Sequence, residues 1–394
     1  MKNISRIVAL VVVTSLIGTN AVFAEPRIAP VPESAWPETV REVYAGFAAT
    51  GMRNLAATYA NRDVLAVGVM PHLKYLWDES TLAPRERALL VLRTAWLTRS
   101  EYLWAHRAAL ARQEGFSADD LVRVAEGPNA AGWSDFDRIV LLAADEMHID
   151  SFISDATWAA LSERYDTAQM IDVIDTAGAL TMHAGVANSL MVDIEQGVSD
   201  RFPQNVPVRI AAERANIRLV DKAPRIPPRP PADGGPVTAN VFSTFSHNPT
   251  ADRVRGQINQ HVNGRVTLEP RHREMLLTRI GVLCRSEYEY AAHLRVGFRV
   301  GMTETDKAMV LAGPDQGIGN ELDNALLRAA DELFEDDFIT DATWAELAEE
   351  LSTEQLLDVL IVVGGYRSNS ILISAAGVQL DDNMADFRFP PELR

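Results

Sequence analysis

Leu268–His293, LEPRHREMLLTRIGVLCRSEYEYAAH, has an earlier copy 186 positions upstream at Leu82–Arg107, LAPRERALLVLRTAWLTRSEYLWAHR. Leu-x-Pro-Arg-x-Arg opens each copy, and Arg-Ser-Glu-Tyr follows at one spacing in both. The register holds without a gap well beyond this stretch. Gly115 matches Gly301, Gly127-Pro128 matches Gly313-Pro314, and Ala144-Asp145-Glu146 matches Ala330-Asp331-Glu332. Asp155-Ala156-Thr157-Trp158 returns as Asp341-Ala342-Thr343-Trp344, and the halves close on Phe202-Pro203 and Phe389-Pro390. A repeat this regular means one fold used twice.

Each copy reads as helical. A proline followed by a charged first turn, with apolar residues at Leu276, Leu277, Ile280 and Leu283, is a helix start with helical spacing. Ser286 opens the next helix and Gly301 sits where that helix should stop. Ser154-Asp155 and Thr340-Asp341 are N-cap signals ahead of tryptophan-bearing helices. Strand-like alternation is scarce. The expectation is an all-α chain of two tandem bundles, about six helices each, since a repeated unit must bury its apolar faces against its neighbours.

A chain of 394 residues is long for one core and suggests two domains. Residues 25–203 form the first expected unit and 238–394 the second. The proline-rich 204–237, with Pro224-Arg225-Ile226-Pro227-Pro228-Arg229-Pro230, reads as the linker. Acidic residues outnumber basic ones 54 to 37, a net charge of −17, which disfavours nucleic acid and anionic membranes as partners. Lys2 and Arg6, an apolar run from Ile7 to Ile17, and Val22-Phe23-Ala24 have the form of a signal peptide. The expectation is cleavage after Ala24 and export to the periplasm or medium. Cleavage removes two basic and no acidic residues, taking the charge to −19. The lone cysteine, Cys284, leaves no internal disulfide and reads first as a small buried apolar residue.

Glu289 and His293 are four apart, hence on one helical face, and a tight hairpin would bring Glu274 against them. Two carboxylates and an imidazole make an acid/base site in which Glu274 raises the His293 pKa. The helix N-terminus at Ser286 would favour a developing anion. The competing reading is structural: Ser286-x-x-Glu289 fits a capping box, and His293 could be a satisfied interhelical histidine.

The first copy has Ala88, Leu103 and Arg107 at the positions of Glu274, Glu289 and His293, with His106 one residue early. It reads as a structural half, although His106 and His148 leave room for a different site. None of the eight histidines falls opposite another at the repeat offset, so a duplicated metal site is excluded, and no familiar ligand spacing supports a single one. Asp145-Glu146 and Asp331-Glu332 read as a solvated or capping edge. Arg87, Arg93, Arg273 and Arg279 recur as pairs six apart, as interhelical ion pairs or a clamp for a substrate carboxylate. No nucleophile elbow, P-loop or dinucleotide fingerprint is present.

Leu-x-Pro-Arg-x-Arg-Glu, an apolar helix, then Ser-Glu-Tyr-Glu-Tyr-x-x-His resembles the carboxymuconolactone decarboxylase family, which includes the alkylhydroperoxidase D group. Ile339-Thr340-Asp341-Ala342-Thr343-Trp344, Gly365-Tyr366 and Gly377-Val378-Gln379-Leu380-Asp381 extend the resemblance. It implies two alkylhydroperoxidase D-like helical bundles forming an intrachain pseudo-dimer. It also implies assembly of whole chains into a homo-oligomer, a trimer of two-unit chains. The peroxidase branch places cysteines where Ser286 and Glu289 stand here, with its glutamate at Glu274 and its histidine at His293. Peroxiredoxin activity without those thiols is disfavoured, because redox turnover needs an attacking thiolate and a resolving partner. The decarboxylase branch needs neither thiol nor cofactor.

The resulting expectation is an exported, cofactor-free lyase, decarboxylase or isomerase acting on a small unsaturated or cyclic organic acid or lactone. His293 is the expected general base, Glu289 its partner or the acid, and Glu274 the orienting group. Tyr288, Arg279, Ser286 and Tyr366 are the expected substrate contacts. A thiol-linked activity at Cys284, a metal-dependent oxygenase and a non-catalytic binding or scaffold protein are the alternatives.

Overall fold

The computed structural model describes residues 25–210, 223–230 and 239–393. The expected leader and its cleavage point, and much of the expected linker, lie outside these residues. Among the described residues every regular element is helical. The first half contains α1 (Glu38–Phe47), α2 (Arg53–Tyr59), α3 (Asp63–Lys74), α4 (Pro84–Leu97) and α5 (Glu101–Gln113), then α6 (Ala118–Glu126), α7 (Asp135–Asp150), α8 (Asp155–Ser162) and α9 (Thr167–Ser189). The second contains α10 (Asn240–Phe245), α11 (Pro249–Gly264), α12 (Pro270–Leu283), α13 (Glu287–Arg299), α14 (Glu304–Ala312), α15 (Glu321–Asp336), α16 (Asp341–Glu350) and α17 (Thr353–Ala376).

Seven pairs, α3/α11 through α9/α17, start 186 residues apart. The remaining helices, α1, α2 and α10, precede these pairs, and in that region, α3 and α11 included, short or weakly patterned segments gave no sequence signal. The shared motifs have structural jobs. Arg85 and Arg271 make two-pronged ion pairs to Asp137 and Asp323 on α7 and α15. Arg93 and Arg279 do the same to Asp145 and Asp331. Gly127 and Gly313 adopt φ near 95° and 92°, and a Cβ on either would fall within 3 Å of the guanidinium it seats. Glu146 and Glu332 cap α8 and α16 by accepting from Ser154 and Thr340. The acidic edge is therefore capping at the glutamates, but Asp145 is fully buried rather than solvated.

The halves meet where α9 packs along α17 and α3 along α11. Gly178 lies against Ser368, and Gly364 against Met182, so a Cβ at either glycine would come within about 3 Å of the opposite helix. Those positions are repeat counterparts of one another, and their contact is reciprocal. One apolar cluster runs through both halves, from Leu65 and Leu180 to Leu326 and Val363. Although α17 is long and apolar enough to cross a bilayer, its apolar window is wholly buried, as in a core helix.

Two arms cross the junction. Arg27 donates to the carbonyls of Ser189 and Ile339, pairs with Asp341 and covers the rings of Phe338 and Trp344. Arg225 donates to the carbonyls of Ile153 and Ala375, pairs with Asp155 and covers Phe152 and Trp158. Each half's Pro-Arg-Ile arm grips the tryptophan helix of the other half. The segment read as linker is thus docked at this point, with Ile226 buried.

Candidate active site

Gly281 lets α12 and α13 approach closely, since a Cβ there would lie 2.7 Å from the Tyr290 backbone nitrogen. The hairpin brings Glu274 from α12 against the face of α13 that carries Glu289 and His293. His293 Nδ1 is 2.8 Å from Glu274 Oε2, and Nε2 is 3.3 Å from Glu289 Oε2. Glu274 Oε1 accepts from Arg273 Nε at 2.8 Å. The Tyr366 ring stands edge-on to the imidazole, centroids 4.8 Å apart. The hairpin expectation from spacing therefore holds in space.

Burial opposes charge on His293, but the hydrogen bonds and negative charges of Glu274 and Glu289 outweigh it and hold its pKa raised to about 9. Glu274 is itself buried, yet His293 and Arg273 keep its pKa below the ordinary carboxylate value. Near neutral pH His293 is an imidazolium, held between Glu274 and Glu289. The expected role of His293 was general base; an imidazolium with both nitrogens facing carboxylates has no lone pair for that role. It can donate a proton or hold an anion. The carboxyl group of the cluster that lines the cavity is Glu289.

Glu289 and His293 line a cavity of about 270 Å³ with Tyr288, Tyr366, Arg255 and Asn263. Tyr288 donates from its hydroxyl to Asp381 at 2.8 Å. Asn263 Nδ2 donates to the Tyr366 hydroxyl at 2.8 Å. Both tyrosines line the cavity.

Two expected contacts fall elsewhere. Arg279 is committed to Asp331 and to the carbonyl of Val310, which makes it an interhelical strut rather than a carboxylate clamp. Ser286 lines a neighbouring cleft of about 200 Å³ with Arg285, Ser374 and Arg388. It precedes α13 but makes no side-chain cap, and Glu289 turns to His293 instead, so the capping-box reading fails.

Arg255, Asn259 and Asn369 were missed. The usable signal was asymmetry. Their repeat counterparts are Val69, Leu73 and His183, while Trp77, Leu103 and Leu180 stand opposite Asn263, Glu289 and Tyr366. Those first-half side chains are buried. The first half pairs its own imidazole elsewhere: His106 Nε2 lies 2.5 Å from Glu195, which also accepts from Tyr102. His148 is half-buried, and desolvation with the charges of Arg367, Arg93 and Arg99 pushes its pKa down to about 3. His183 is held by Tyr59. Cys284 is buried as expected, and burial pushes its thiol pKa up. Among the described residues no group of three or more His, Cys, Asp or Glu side chains is placed to hold a metal ion.

Residues 67–144, from within α3 to within α7, match the model of the Carboxymuconolactone decarboxylase family. The matched segment is the first-half frame, whose helices recur at the repeat offset around the His293 cluster. No curated protein and no solved structure matches the chain.

Proposed function

We propose that this chain, which carries a carboxymuconolactone decarboxylase family segment at residues 67–144, is an acid/base enzyme of the lyase, decarboxylase or isomerase type. The substrate class is a small unsaturated or cyclic organic acid or lactone. The observation that carries the reading is the imidazolium of His293 gripped by Glu274 and Glu289 beside a cavity.

Glu289 takes a proton from a carbon acid, or the substrate loses carbon dioxide, and either event leaves an electron pair on an enolate or related oxyanion. His293 stabilises that anion and returns a proton to it. Glu274, with Arg273 behind it, keeps the imidazole charged and oriented. Positioned acid/base groups of this kind contribute about 10²–10⁴-fold.

We place the activity outside the cytoplasm, in a chain that pairs two units as an intrachain pseudo-dimer and assembles as a trimer. Matched helix starts, the reciprocal α9–α17 contact and the exchanged arginine arms support the pseudo-dimer. A peroxide-linked reading finds little support. Ser286 and Glu289 occupy the positions where thiols are expected, and Cys284 is buried with its thiolate disfavoured.

The test is a screen of unsaturated acids and lactones for turnover, and for exchange of carbon-bound hydrogen with deuterated solvent. His293→Gln should lower turnover at least 100-fold with helical content unchanged, in line with loss of a positioned proton donor. Wild-type turnover in that variant would contradict the proposal.

A further inference from the structure

The wall of the cavity formed by α11 and α17 consists largely of hydrogen-bond donors, and the acid/base steps make no use of it. Arg255 is 4% exposed, with its guanidinium carbon 4.1 Å from the centroid of Phe245. Its Nη1 donates to Asn369 Oδ1 at 2.8 Å, and Asn369 Nδ2 donates in turn to Asn259 Oδ1 at 3.0 Å. Both amide oxygens are thereby consumed within the wall. Arg255 Nη2 is buried without a hydrogen-bond acceptor, the Asp252 carboxylate standing off at 3.6 Å. Nearby, the Tyr366 hydroxyl oxygen accepts from Asn263, which leaves its own proton to be given away.

A buried donor without an acceptor costs about 1–3 kcal/mol, and more when charged. Asp175, Asp252 and Glu289 act on the guanidinium through their charge. Asp175 is hydrogen-bonded to His72 at 2.9 Å, and Glu289 faces His293. An acceptor-only anion matched to a guanidinium edge would satisfy this donor, and a carboxylate is such a group. The first half has Val69 here, so the donor wall belongs only to the half that carries His293.

We propose that Arg255 receives the substrate's carboxylate, with Asn369 fixing the guanidinium and the Tyr366 hydroxyl as a second donor. Arg255 then selects acids over neutral analogues, the task the sequence suggested for Arg279. The proposal rests on the reading of the cavity as a substrate site.

Cyclohexanecarboxylate and its carboxamide are unreactive probes of matched shape, and calorimetric titration reads their binding to the full-length protein near neutral pH. The expected result is that the acid binds at least tenfold more tightly than the amide. Arg255→Met weakens the acid at least tenfold and leaves the amide unchanged, and Arg255→Lys falls between. In His293→Gln the preference for the acid persists, which separates Arg255 from the imidazolium. Equal binding of acid and amide by the wild type, no binding of the acid, or undiminished acid binding in Arg255→Met overturns the proposal. If Arg255→Met does not fold, the wild-type acid/amide ratio and Arg255→Lys decide it. Turnover retained in His293→Gln would instead contradict the acid/base mechanism while leaving this discrimination intact.

Discussion

At the scale of single residues, the copies agree where the frame is built and differ where chemistry is available. Arg93 and Arg279 belong to the frame. Arg93 is fully buried with Asp145, and removing one member of such a pair leaves an uncompensated buried charge. Arg93→Met should therefore lower stability by about 3–5 kcal/mol, read by denaturant unfolding. Arg279→Met should cost less, because Asp331 retains 22% side-chain exposure. His293 belongs to the differing set. Its pKa is raised in the folded protein, so the stability it contributes is fully present below its unfolded value of about 6.5 and is lost as pH rises through about 9. Wild-type stability should fall over that window, and His293→Gln should remove this component of the fall.

At the scale of elements, the α12–α13 hairpin was legible because its signals are local. A proline at the first helical position, apolar spacing and a four-residue Glu289–His293 interval need no tertiary information. Where Arg279 and Ser286 settle was not legible, because Arg279's partners come from α14 and α15 and the cleft beside Ser286 is lined by the end of α17. Spacing along one helix does not reveal which neighbouring element will claim a long side chain. Arg255 was hidden for the same reason, and only comparison with Val69 could have flagged it. The α9–α17 contact tests the packing account. Gly364→Val would push a side chain into the Met182 backbone and should destabilise the protein by about 1–3 kcal/mol, read as a lowered unfolding midpoint. A neutral effect would contradict close packing at that crossing.

At the scale of the whole molecule, the duplication was visible in sequence, but the continuity of the core was not. Length suggested two domains, whereas one apolar cluster spans both halves and the arginine arms cross between them. A shared core predicts a single cooperative unfolding transition. Arg27→Ala combined with Arg225→Ala should lower the midpoint and leave the transition single in calorimetry. Two resolved transitions in the wild type would contradict the shared core. Sedimentation should also give the mass of three chains, and a monomer would remove the proposed trimer.

The central claim is that Glu274 and Glu289 hold His293 as an imidazolium beside the cavity. Nitrogen-15 NMR of labelled histidine, titrated across pH with His293→Gln for assignment, reads this directly. The account predicts that both His293 nitrogens remain protonated through neutral pH and titrate near 9, with the transition moving downward in Glu274→Gln. A neutral His293 titrating at or below 6.5 would contradict it.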